Sequence, residues 1–555
     1  MMKRVYLCIL LQLFLVSIFA QQNCRKSVRP VKNVIFMVSD GTSTSLLSIA
    51  RWFQYYNGGT NSGSDKLNID PYLCGLVNTY CSNAPVPDSA PAMSAYMTGI
   101  PAQKGNISVY PQVDALQDIY PTDPAMALRP AATVMEAAKI EKGKATGVAV
   151  TCEFPHATPA ACASHYYDRG KYEYIAPQMA YNNLDVVFGG GYDEVTAGMK
   201  DYFAKTGVKY IKGDIDAFRS FSGDEKVWAL FSPSRMPYDI DREAMYPSLA
   251  EMTGKAIARL DKAQEGFFLM VEGSRVDMAA HSNDPIGAIT EFLAFDKAVG
   301  VALDYAKKNG ETAVVVLADH GTADMNFGSE KFKGSSAKGL DSVFFNVSKY
   351  KLTAEGLEKV LLKTKPEAIK PTFNKYTGID LSEDEVNQLL SSKNYKASDY
   401  TQIASSVNMV STIAKIMVSR TYFDFISGRH TGEDVFLAAY HPQGDIPLGL
   451  RSNVEINKYL CDLVGLEKSL AELSSELYAR HTDVFNGYDY KIAKENDNIV
   501  LTVKKGKTTM KIPAFTSVGY LNGKPFNLGS VAVYIDKNEQ FYLPAHLTET
   551  MEMLN

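Results

Sequence analysis

The feature that most constrains the fold is a set of short apolar runs, rich in β-branched residues, that recur at long intervals. They cover residues 34–38, 145–150, 186–188, 267–271, 313–317 and 435–439. Runs without apolar–polar alternation are typical of parallel strands covered on both faces. Segments with helical spacing, such as 130–139 and 286–305, lie between them. The alternation predicts an α/β three-layer sandwich around a large, mostly parallel sheet.

Composition narrows the class of protein. The 555 residues are 46% hydrophobic and 21% charged, which is ordinary for a globular protein and excludes intrinsic disorder and a small disulfide scaffold. Lysine and arginine number 57 against 62 acidic residues, so the net charge is −5. We therefore expect no nucleic-acid-binding surface.

The first 20 residues have the three-part composition of a secretory signal peptide. Lys3 and Arg4 precede an apolar run over 5–19, which ends at Ala20. A run of about 15 residues is shorter than the roughly 20 that a membrane span needs. We predict export with cleavage near Ala20 and no membrane span afterwards, with the periplasm as the destination and full secretion as the alternative.

The cysteines leave the redox state open. Cys8 belongs to the signal peptide, and six cysteines remain at positions 24, 74, 81, 152, 162 and 461. An exported chain has access to an oxidising compartment. Cys74 and Cys81 could close a small loop, but six cysteines allow fifteen pairings.

The chain divides into three predicted segments: the signal peptide 1–20, an α/β catalytic domain 21–486, and a small β-rich C-terminal module 487–555. Turn signals such as Asn522-Gly523 separate the short strands of the last segment. Within the catalytic domain, residues of about 329–428 interrupt the strand–helix rhythm. They are predicted to be a helical insertion, with helices at 382–391 and 404–419.

Acidic and imidazole side chains follow three of the predicted strands. Asp40 follows the first, Glu272 follows the run at 267–271, and Asp319 with His320 follow the run at 313–317. Because ligands bind at the carboxyl ends of strands in open α/β sheets, we expect these side chains to converge. A single one of them is equally explained as a cap of a helix or turn.

Further candidates have spacings suited to metal or phosphate binding. Asp277 and His281 are four residues apart, which places both on one face of a helix and forms half of a zinc site. His430 supplies another imidazole. Ser89 stands where a helix should begin and Gly99 where it should stop. A hydroxyl at a helix N-terminus favours a bound phosphoryl group, although it is also a common cap.

Together these motifs resemble those of the alkaline phosphatase family over about residues 30–445. They are Val38-Ser39-Asp40-Gly41, Asp88-Ser89-Ala90, His156-Ala157-Thr158-Pro159, Arg169, Glu272 through His281, Ala318-Asp319-His320 and His430-Thr431-Gly432. The resemblance is to exported, bacterial-type members, with a histidine near the magnesium site as in animal members. It implies hydrolysis of small-molecule phosphate monoesters and a homodimer.

The resemblance also implies a role at each matching position. The ligands of a first zinc match Asp277, His281 and His430, those of a second zinc match Asp40, Asp319 and His320, and those of a magnesium ion match Thr158 and Glu272, with Asp40 bridging. Ser89 matches the nucleophile that becomes phosphorylated, and Arg169 matches the arginine that holds two phosphate oxygens. The implied cofactors are two Zn²⁺ and one Mg²⁺.

Two positions depart from the pattern. His156 stands where some bacterial members have an aspartate, and imidazole favours zinc over magnesium more than a carboxylate does, which leaves the third metal uncertain. Met278 stands where many members have a lysine or histidine that reaches phosphate through water. We expect the loss of that charge to weaken phosphate binding.

Three alternatives share parts of the pattern. A phosphodiesterase on the same metal core usually has a threonine nucleophile, and a sulfatase needs Cys/Ser-x-Pro-x-Arg, whereas the segment from Ser89 ends in Met93. A non-catalytic exported binding protein that keeps the metals is the third. Thr158, Glu272 and Arg169 favour the monoesterase.

Overall fold

The structure is a computed structural model that describes residues 28–58, 66–112, 119, 123–328, 339–397, 399–496 and 498–552. The predicted signal peptide 1–20, Cys8 and Cys24 lie outside these ranges, as does the first part of the predicted insertion. No helix among the described residues combines the length and apolar character needed to cross a bilayer.

The strands are short and are numbered here in chain order. They are β1 (Asn33–Ser39), β2 (Leu73–Asn78), β3 (Ala145–Glu153), β4 (Val186–Gly190), β5 (Lys209–Lys212), β6 (Val227–Leu230), β7 (Phe267–Gly273), β8 (Thr312–Ala318), β9 (Gly321–Thr322), β10 (Met325–Phe327), β11 (Phe423–Phe425), β12 (His430–Thr431), β13 (Val435–Tyr440), β14 (Gly449–Ser452), β15 (Ala479–Arg480), β16 (Asp489–Glu495), β17 (Asn498–Lys505), β18 (Thr508–Pro513), β19 (Val518–Leu521), β20 (Lys524–Asn527), β21 (Val533–Ile535) and β22 (Gln540–Leu543).

Ten of these strands form one sheet in the order β14-β2-β13-β8-β1-β7-β3-β4-β6-β5. The strands β1, β7 and β8 at its centre are buried along their whole length. β1 pairs in parallel with β7 and β8, and β7 pairs in parallel with β3. The predicted α/β class with a large, mostly parallel sheet is therefore confirmed.

The prediction of a parallel strand at 435–439 was wrong. β13 pairs antiparallel with both β2 and β8. It is nevertheless almost wholly buried, like its parallel neighbours. Because burial on both faces selects the same apolar residues in either direction, the run itself carries no information about strand direction.

Helices connect the strands. They cover Thr44–Gly58, Ser89–Thr98, Val134–Lys142, Ala157–Ala163, Tyr172–Tyr181, Ala197–Thr206, Ile215–Ser220, Leu249–Leu260, Arg275–His281, Pro285–Asn309, Leu340–Phe344, Ala354–Leu361, Ile369–Thr377, Glu383–Ser392, Met409–Ser419, Asn453–Val464, Leu470–Leu477, His481–Val484 and Leu547–Glu552. The helix predicted from residue 130 begins at Val134, because Thr133 and Glu136 form a capping box there.

The described part of the predicted insertion is mainly helical. The helix expected at 382–391 covers Glu383–Ser392, again after a capping box. The helix expected from residue 404 begins five residues later, at Met409, where the Asn408 side chain accepts from the amide of Ser411. A short 3₁₀ turn, Tyr400–Gln402, precedes it.

The C-terminal region forms two small sheets. β16 to β20 form an antiparallel meander, and β21, β22 and β15 form a second sheet. The predicted turn at Asn522-Gly523 joins β19 to β20, and both residues have positive φ, as a type I′ hairpin requires. The thiols of Cys74 and Cys81 are free, so the small loop that this pair could close is not formed.

Candidate metal and phosphate site

The carboxyl ends of the three central strands place four predicted residues side by side. Asp40 follows β1, Glu272 lies near the end of β7, and Asp319 and His320 follow β8. The Nε2 atom of His320 lies 3.6 Å from Oδ1 of Asp40 and 3.5 Å from Oδ2 of Asp319. All four side chains are fully buried. The donor atoms of Asp40, Asp319 and His320 lie close enough together to hold one ion.

The helix Arg275–His281 begins directly after β7 and brings a second group to this edge. Nε2 of His281 lies 3.3 Å from Oδ1 of Asp277 on the same helix face. Nε2 of His430 lies 3.1 Å from Nε2 of His281 and 3.8 Å from Oδ1 of Asp277. The pairing of β12 with β9 sets His430 opposite Thr322, two residues after His320, which explains how a distant position reaches the site.

Backbone carbonyl groups fix the orientation of three imidazole rings. Nδ1 of His281 lies 2.8 Å from the carbonyl of Gly428, and Nδ1 of His430 lies 2.9 Å from that of Pro87. Nδ1 of His320 lies 3.2 Å from the carbonyl of Gly321. Since a carbonyl only accepts, each neutral ring donates from Nδ1 and keeps its Nε2 lone pair for a cation. In this tautomer the Nε2 atoms of His281 and His430, which lie 3.1 Å apart, both carry a lone pair, and no proton lies between them.

Gly41 allows the backbone to pass beside the second group. Its φ is +60°, and a side chain at this position would collide with Oδ1 of Asp277 and Oγ1 of Thr322. The Thr322 hydroxyl in turn donates to Oδ1 of Asp277 at 2.7 Å. Thr322 was not predicted, and it orients the carboxylate shared by the two histidines.

A third group lies on the other side of β7. Thr158 and His156 lie at the start of the helix Ala157–Ala163, and Cys152 lies near the end of β3. The sulfur of Cys152 lies 3.4 Å from Oε2 of Glu272. Donor atoms of Cys152, His156 and Glu272 lie within 4.8 Å of one another. Cys152 was missed by the sequence analysis, although it stands only four residues before His156.

Several buried side-chain atoms of the site make no hydrogen bond within the described residues. They are Oδ2 of Asp40, Oδ2 of Asp277, Oδ2 of Asp319, Oε1 of Glu272, Oγ1 of Thr158 and Nδ1 of His156. An unpaired buried carboxylate oxygen is costly, so such a set indicates a site built for cations.

The pKa values follow from burial among like charges. Burial, followed by the charges of Asp319 and Asp277, raises the pKa of Asp40 well above its ordinary value. Burial raises the pKa of Asp319 and of Glu272 to about 7. Burial also acts to raise the pKa of Asp277, but the charges of three nearby histidines outweigh it and lower that pKa. A bound cation would relieve the repulsion among these carboxylates.

Ser89 is the first residue of the wholly buried helix Ser89–Thr98, which stops at Gly99 as predicted. Its hydroxyl donates to Oδ1 of Asp40 at 3.3 Å and lies 3.2 Å from Nε2 of His320. The hydroxyl therefore faces the group of Asp40, Asp319 and His320 rather than capping its own helix.

Arg169 lies beside Ser89, in the loop before the helix Tyr172–Tyr181. Its Nη1 donates to Oδ2 of Asp88 at 3.1 Å, and its Nη2 donates to Nε2 of His156 at 3.0 Å and to the Tyr400 hydroxyl at 3.4 Å. Tyr400, which was not predicted, comes from the 3₁₀ turn in the insertion. No spacing in the sequence connects it to the site, because the tertiary fold alone brings it there.

A pocket of about 820 Å³ opens onto these residues. His281, His430, Arg169, His156 and Tyr400 are among the residues that line it. Met278 lies beside the site with its sulfur 3.4 Å from Nη1 of Arg235. An open pocket bordered by imidazoles and an arginine suits an anionic small molecule.

This sheet edge, with its buried acidic and imidazole donors, is that of an α/β protein suited to binding metal ions. The sequence model of the alkaline phosphatase family matches residues 31–466. Alkaline phosphatase 3 of Bacillus subtilis is 32% identical over 451 residues, covering 79% of this chain and 90% of that protein. Alkaline phosphatase 4 of the same organism is 30% identical over 436 residues, covering 77% and 87%.

Solved structures agree with the sequence matches. The alkaline phosphatase of Thermus thermophilus has a TM-score of 0.67 at 25% identity, covering 81% of this chain and 97% of that one. The cold-active alkaline phosphatase of Shewanella sp. has a TM-score of 0.65 at 27% identity, covering 78% and 99%. The chain belongs to the alkaline phosphatase family, and these matches favour phosphatase function over a diesterase, a sulfatase or a non-catalytic binding protein.

Proposed function

We propose that this protein is an exported phosphate monoesterase that works through a phosphoserine on Ser89. The observation that carries the proposal is the position of the Ser89 hydroxyl, buried between Asp40 and His320 at a helix N-terminus. A helix N-terminus favours the negative phosphoryl group that the serine would receive. Small-molecule phosphate monoesters are the proposed substrates, and a homodimer is the proposed assembly.

The donor sets of the first two groups fit zinc. Asp277, His281 and His430 offer one carboxylate and two imidazoles, and the rings already present their Nε2 lone pairs. The group of Asp40, Asp319 and His320 offers two carboxylates and one imidazole. Both are zinc-type sets of oxygen and nitrogen donors. Zinc bound there supplies positive charge for the attacking and leaving oxygens of an in-line displacement.

Side chains of this protein supply the nucleophile and the groups that orient it and bind phosphate. The Ser89 oxygen attacks phosphorus, and Asp40 orients it by accepting its hydroxyl proton in a hydrogen bond of 3.3 Å. As the bond from the Ser89 oxygen to phosphorus forms, the serine proton passes to solvent and the bond from phosphorus to the ester oxygen breaks, so that the departing oxygen takes a proton from water and leaves as the alcohol. Water then attacks phosphorus, the bond to the Ser89 oxygen breaks, and inorganic phosphate and the serine hydroxyl are released. Arg169 supplies a planar fork that matches two phosphate oxygens, and Asp88 holds one arm of that fork from the residue next to the nucleophile.

The carboxylates support an alkaline working range. They bind cations only when ionised, and the pKa of Asp319 and of Glu272 is raised to about 7 by burial. Metal affinity should therefore increase as the pH rises above neutrality. Magnesium, which the resemblance implies for the third group, fits less well, because Cys152 and His156 stand beside Thr158 and Glu272.

The test is hydrolysis of a chromogenic phosphate monoester, a diester and a sulfate by the purified chain at alkaline pH. We expect monoester activity that chelation removes, that zinc restores, and that Ser89→Ala reduces by on the order of 10³-fold or more. Ser94→Ala is the matched control, since Ser94 is buried on the same helix and bonds to backbone carbonyls. Preference for the diester or sulfate, or full activity in Ser89→Ala, would overturn the proposal.

A further inference from the structure

The third group contains a donor that a magnesium site does not need. Cys152 is fully buried at the end of β3, and its sulfur faces Glu272 at 3.4 Å. A donor atom from each of Cys152, His156 and Glu272 lies within 4.8 Å of the others. Three residues from three different elements therefore direct their donor atoms to one small volume.

We propose that Cys152 binds the third ion through its sulfur, so that this group is a zinc site. The inference rests on the proposed function in that the ion would border the same phosphate pocket. The donors would be the sulfur of Cys152, a carboxylate oxygen of Glu272, the Thr158 hydroxyl and a nitrogen of His156.

Ligand chemistry separates zinc from magnesium here. Magnesium requires near-octahedral oxygen ligands and keeps several waters. Zinc accepts sulfur, nitrogen and oxygen and is usually bound by four donors, which is the number that this group offers. A thiolate is a soft ligand that selects zinc over magnesium. Binding would release the thiol proton to solvent as the sulfur–metal bond forms.

The neighbours of Cys152 indicate a ligand independently of the cysteine. Oγ1 of Thr158, Oε1 of Glu272 and Nδ1 of His156 make no hydrogen bond within the described residues, and all three side chains are almost fully buried. If Cys152 were only a small core residue donating to Glu272, these three atoms would remain without partners. A cation among them would coordinate the two oxygens directly, and the imidazole once Arg169 has released its Nε2.

The contact between Arg169 and His156 makes the sulfur of Cys152 a more constant ligand of the third ion than the imidazole. The guanidinium of Arg169 donates to Nε2 of His156 at 3.0 Å, and since a guanidinium only donates, it occupies a lone pair of that ring. A neutral imidazole has one lone pair, so Nδ1 carries the proton while Nε2 accepts from Arg169, and the ring can bind the ion only after Arg169 has moved away. Cys152 and Glu272 have no such competing cation within hydrogen-bonding distance among the described residues, so they hold the ion while Arg169 moves to phosphate.

The test uses cobalt as a spectroscopic substitute for zinc. The full chain is stripped of metal, saturated with Co²⁺, and examined for the intense near-ultraviolet band of sulfur-to-cobalt charge transfer. We expect this band in the parent protein, its loss in Cys152→Ala, and its persistence when excess Mg²⁺ is added. Cys162→Ala is the matched control, because Cys162 is an equally buried free thiol whose sulfur, among the described residues, donates to the backbone carbonyl of Thr158 and to no carboxylate.

Metal analysis provides a second measurement that does not depend on activity. Zinc-loaded parent protein should bind one more zinc per chain than Cys152→Ala, with thermal denaturation showing that the variant is folded. If Cys152→Ala does not fold, the parent spectrum with and without Mg²⁺ decides the question. A parent protein without the band, a band displaced by Mg²⁺, or a band that survives in Cys152→Ala would overturn the proposal.

The two proposals fail in different ways. A charge-transfer band in a protein that does not hydrolyse monoesters would uphold the cysteine ligand and overturn the phosphatase. Monoesterase activity dependent on Ser89 without the band would uphold the phosphatase and overturn the cysteine ligand.

Discussion

Glu136 and His165 form one buried acid–imidazole cluster, and Asp277 and His281 belong to another. In the first, the two oxygens of Glu136 accept from Thr133, His165, Asn182 and Tyr478 at 2.7–3.1 Å. In the second, an oxygen of Asp277 has no partner within the described residues, and two imidazole lone pairs face each other. The same residue types thus stabilise the fold in the first cluster, where the carboxylate oxygens are hydrogen-bonded, and offer lone pairs to a cation in the second. We call the cluster of Glu136 and His165 the paired cluster and that of Asp277, His281 and His430 the unpaired cluster.

The carboxyl groups of the two regions also differ in their pKa shifts, except at Asp277. Burial alone would raise the pKa of Glu136, but His165 and the other donors outweigh it and lower that pKa. Among the candidate metal ligands, three histidines lower the pKa of Asp277 in the same way, but at Asp319 and Glu272 burial outweighs the opposing interactions and raises the pKa to about 7. A raised pKa beside unpaired oxygens is therefore a signature of a site that is completed by a ligand.

The largest effect is expected when the charge of the unpaired cluster is removed. Asp277→Asn keeps the shape of the side chain and can still accept from Thr322, but it loses the anion between two histidines. We expect zinc content to fall and kcat/KM for a phosphate monoester to drop by on the order of 10³-fold. Assay and metal analysis check this, with Asp304→Asn, an exposed position on the helix Pro285–Asn309, as the control. Full zinc and activity in Asp277→Asn would contradict it.

The opposite result is expected from the paired cluster. Glu136→Ala leaves His165, Tyr478 and an amide without their acceptor, which should lower the free energy of unfolding by about 3–5 kcal/mol. Zinc content should not change. Urea denaturation measures the loss, and Glu173→Ala, an exposed carboxylate on a nearby helix, should show almost none. If Glu136→Ala lost zinc but not stability, the distinction between the two clusters would fail.

Stability of the metal-free protein should depend on pH in a way that separates the clusters. The pKa of Glu272 is raised from 4.5, and that of Asp319 from 3.8, to about 7 in the folded chain. Their protonated forms therefore stabilise the fold fully below about pH 4, and this contribution is lost as the pH rises to about 7. We expect Tm of chelated protein to fall over that window, and added zinc to raise Tm more at pH 8 than at pH 5. An equal zinc effect at both pH values would count against cation binding by these carboxylates.

The smallest effect concerns Met278, at the edge of the unpaired cluster. Met278→Lys would bring an ammonium near the phosphate pocket, but Arg235 already lies 3.4 Å from the methionine sulfur and would repel it. We expect inhibition by phosphate to strengthen by no more than about 10-fold, or about 1.4 kcal/mol. Inhibition constants for Met278→Lys and for the neutral control Met278→Leu would show this, and unchanged or weaker inhibition by phosphate would contradict it.

The sequence predicted the fold class and named side chains that the structure does bring together, because strand ends and helix spacing are local patterns. Asp40, Asp319 and the pair at 277 and 281 belong to this kind. The direction of β13 was not predictable, since an apolar run is the same in either orientation. Tyr400 was missed because contacts between distant elements leave no trace in spacing. Cys152 was also missed, although it stands four residues before His156, because a buried cysteine is equally typical of a core position.

The position of Tyr400 in the insertion bears on how the pocket can change in evolution. Asp40, Asp319 and His320 follow strand ends of the large sheet, whereas Tyr400 and Asp399 line the same pocket from a turn between helices of the insertion. Mutations in that turn would alter one wall of the pocket and the hydrogen bond that Tyr400 accepts from Arg169, and would leave the strand ends unchanged. The pocket wall and the acidic strand ends are thus encoded in separate stretches of the gene, so selection can change the wall while the strand ends are preserved.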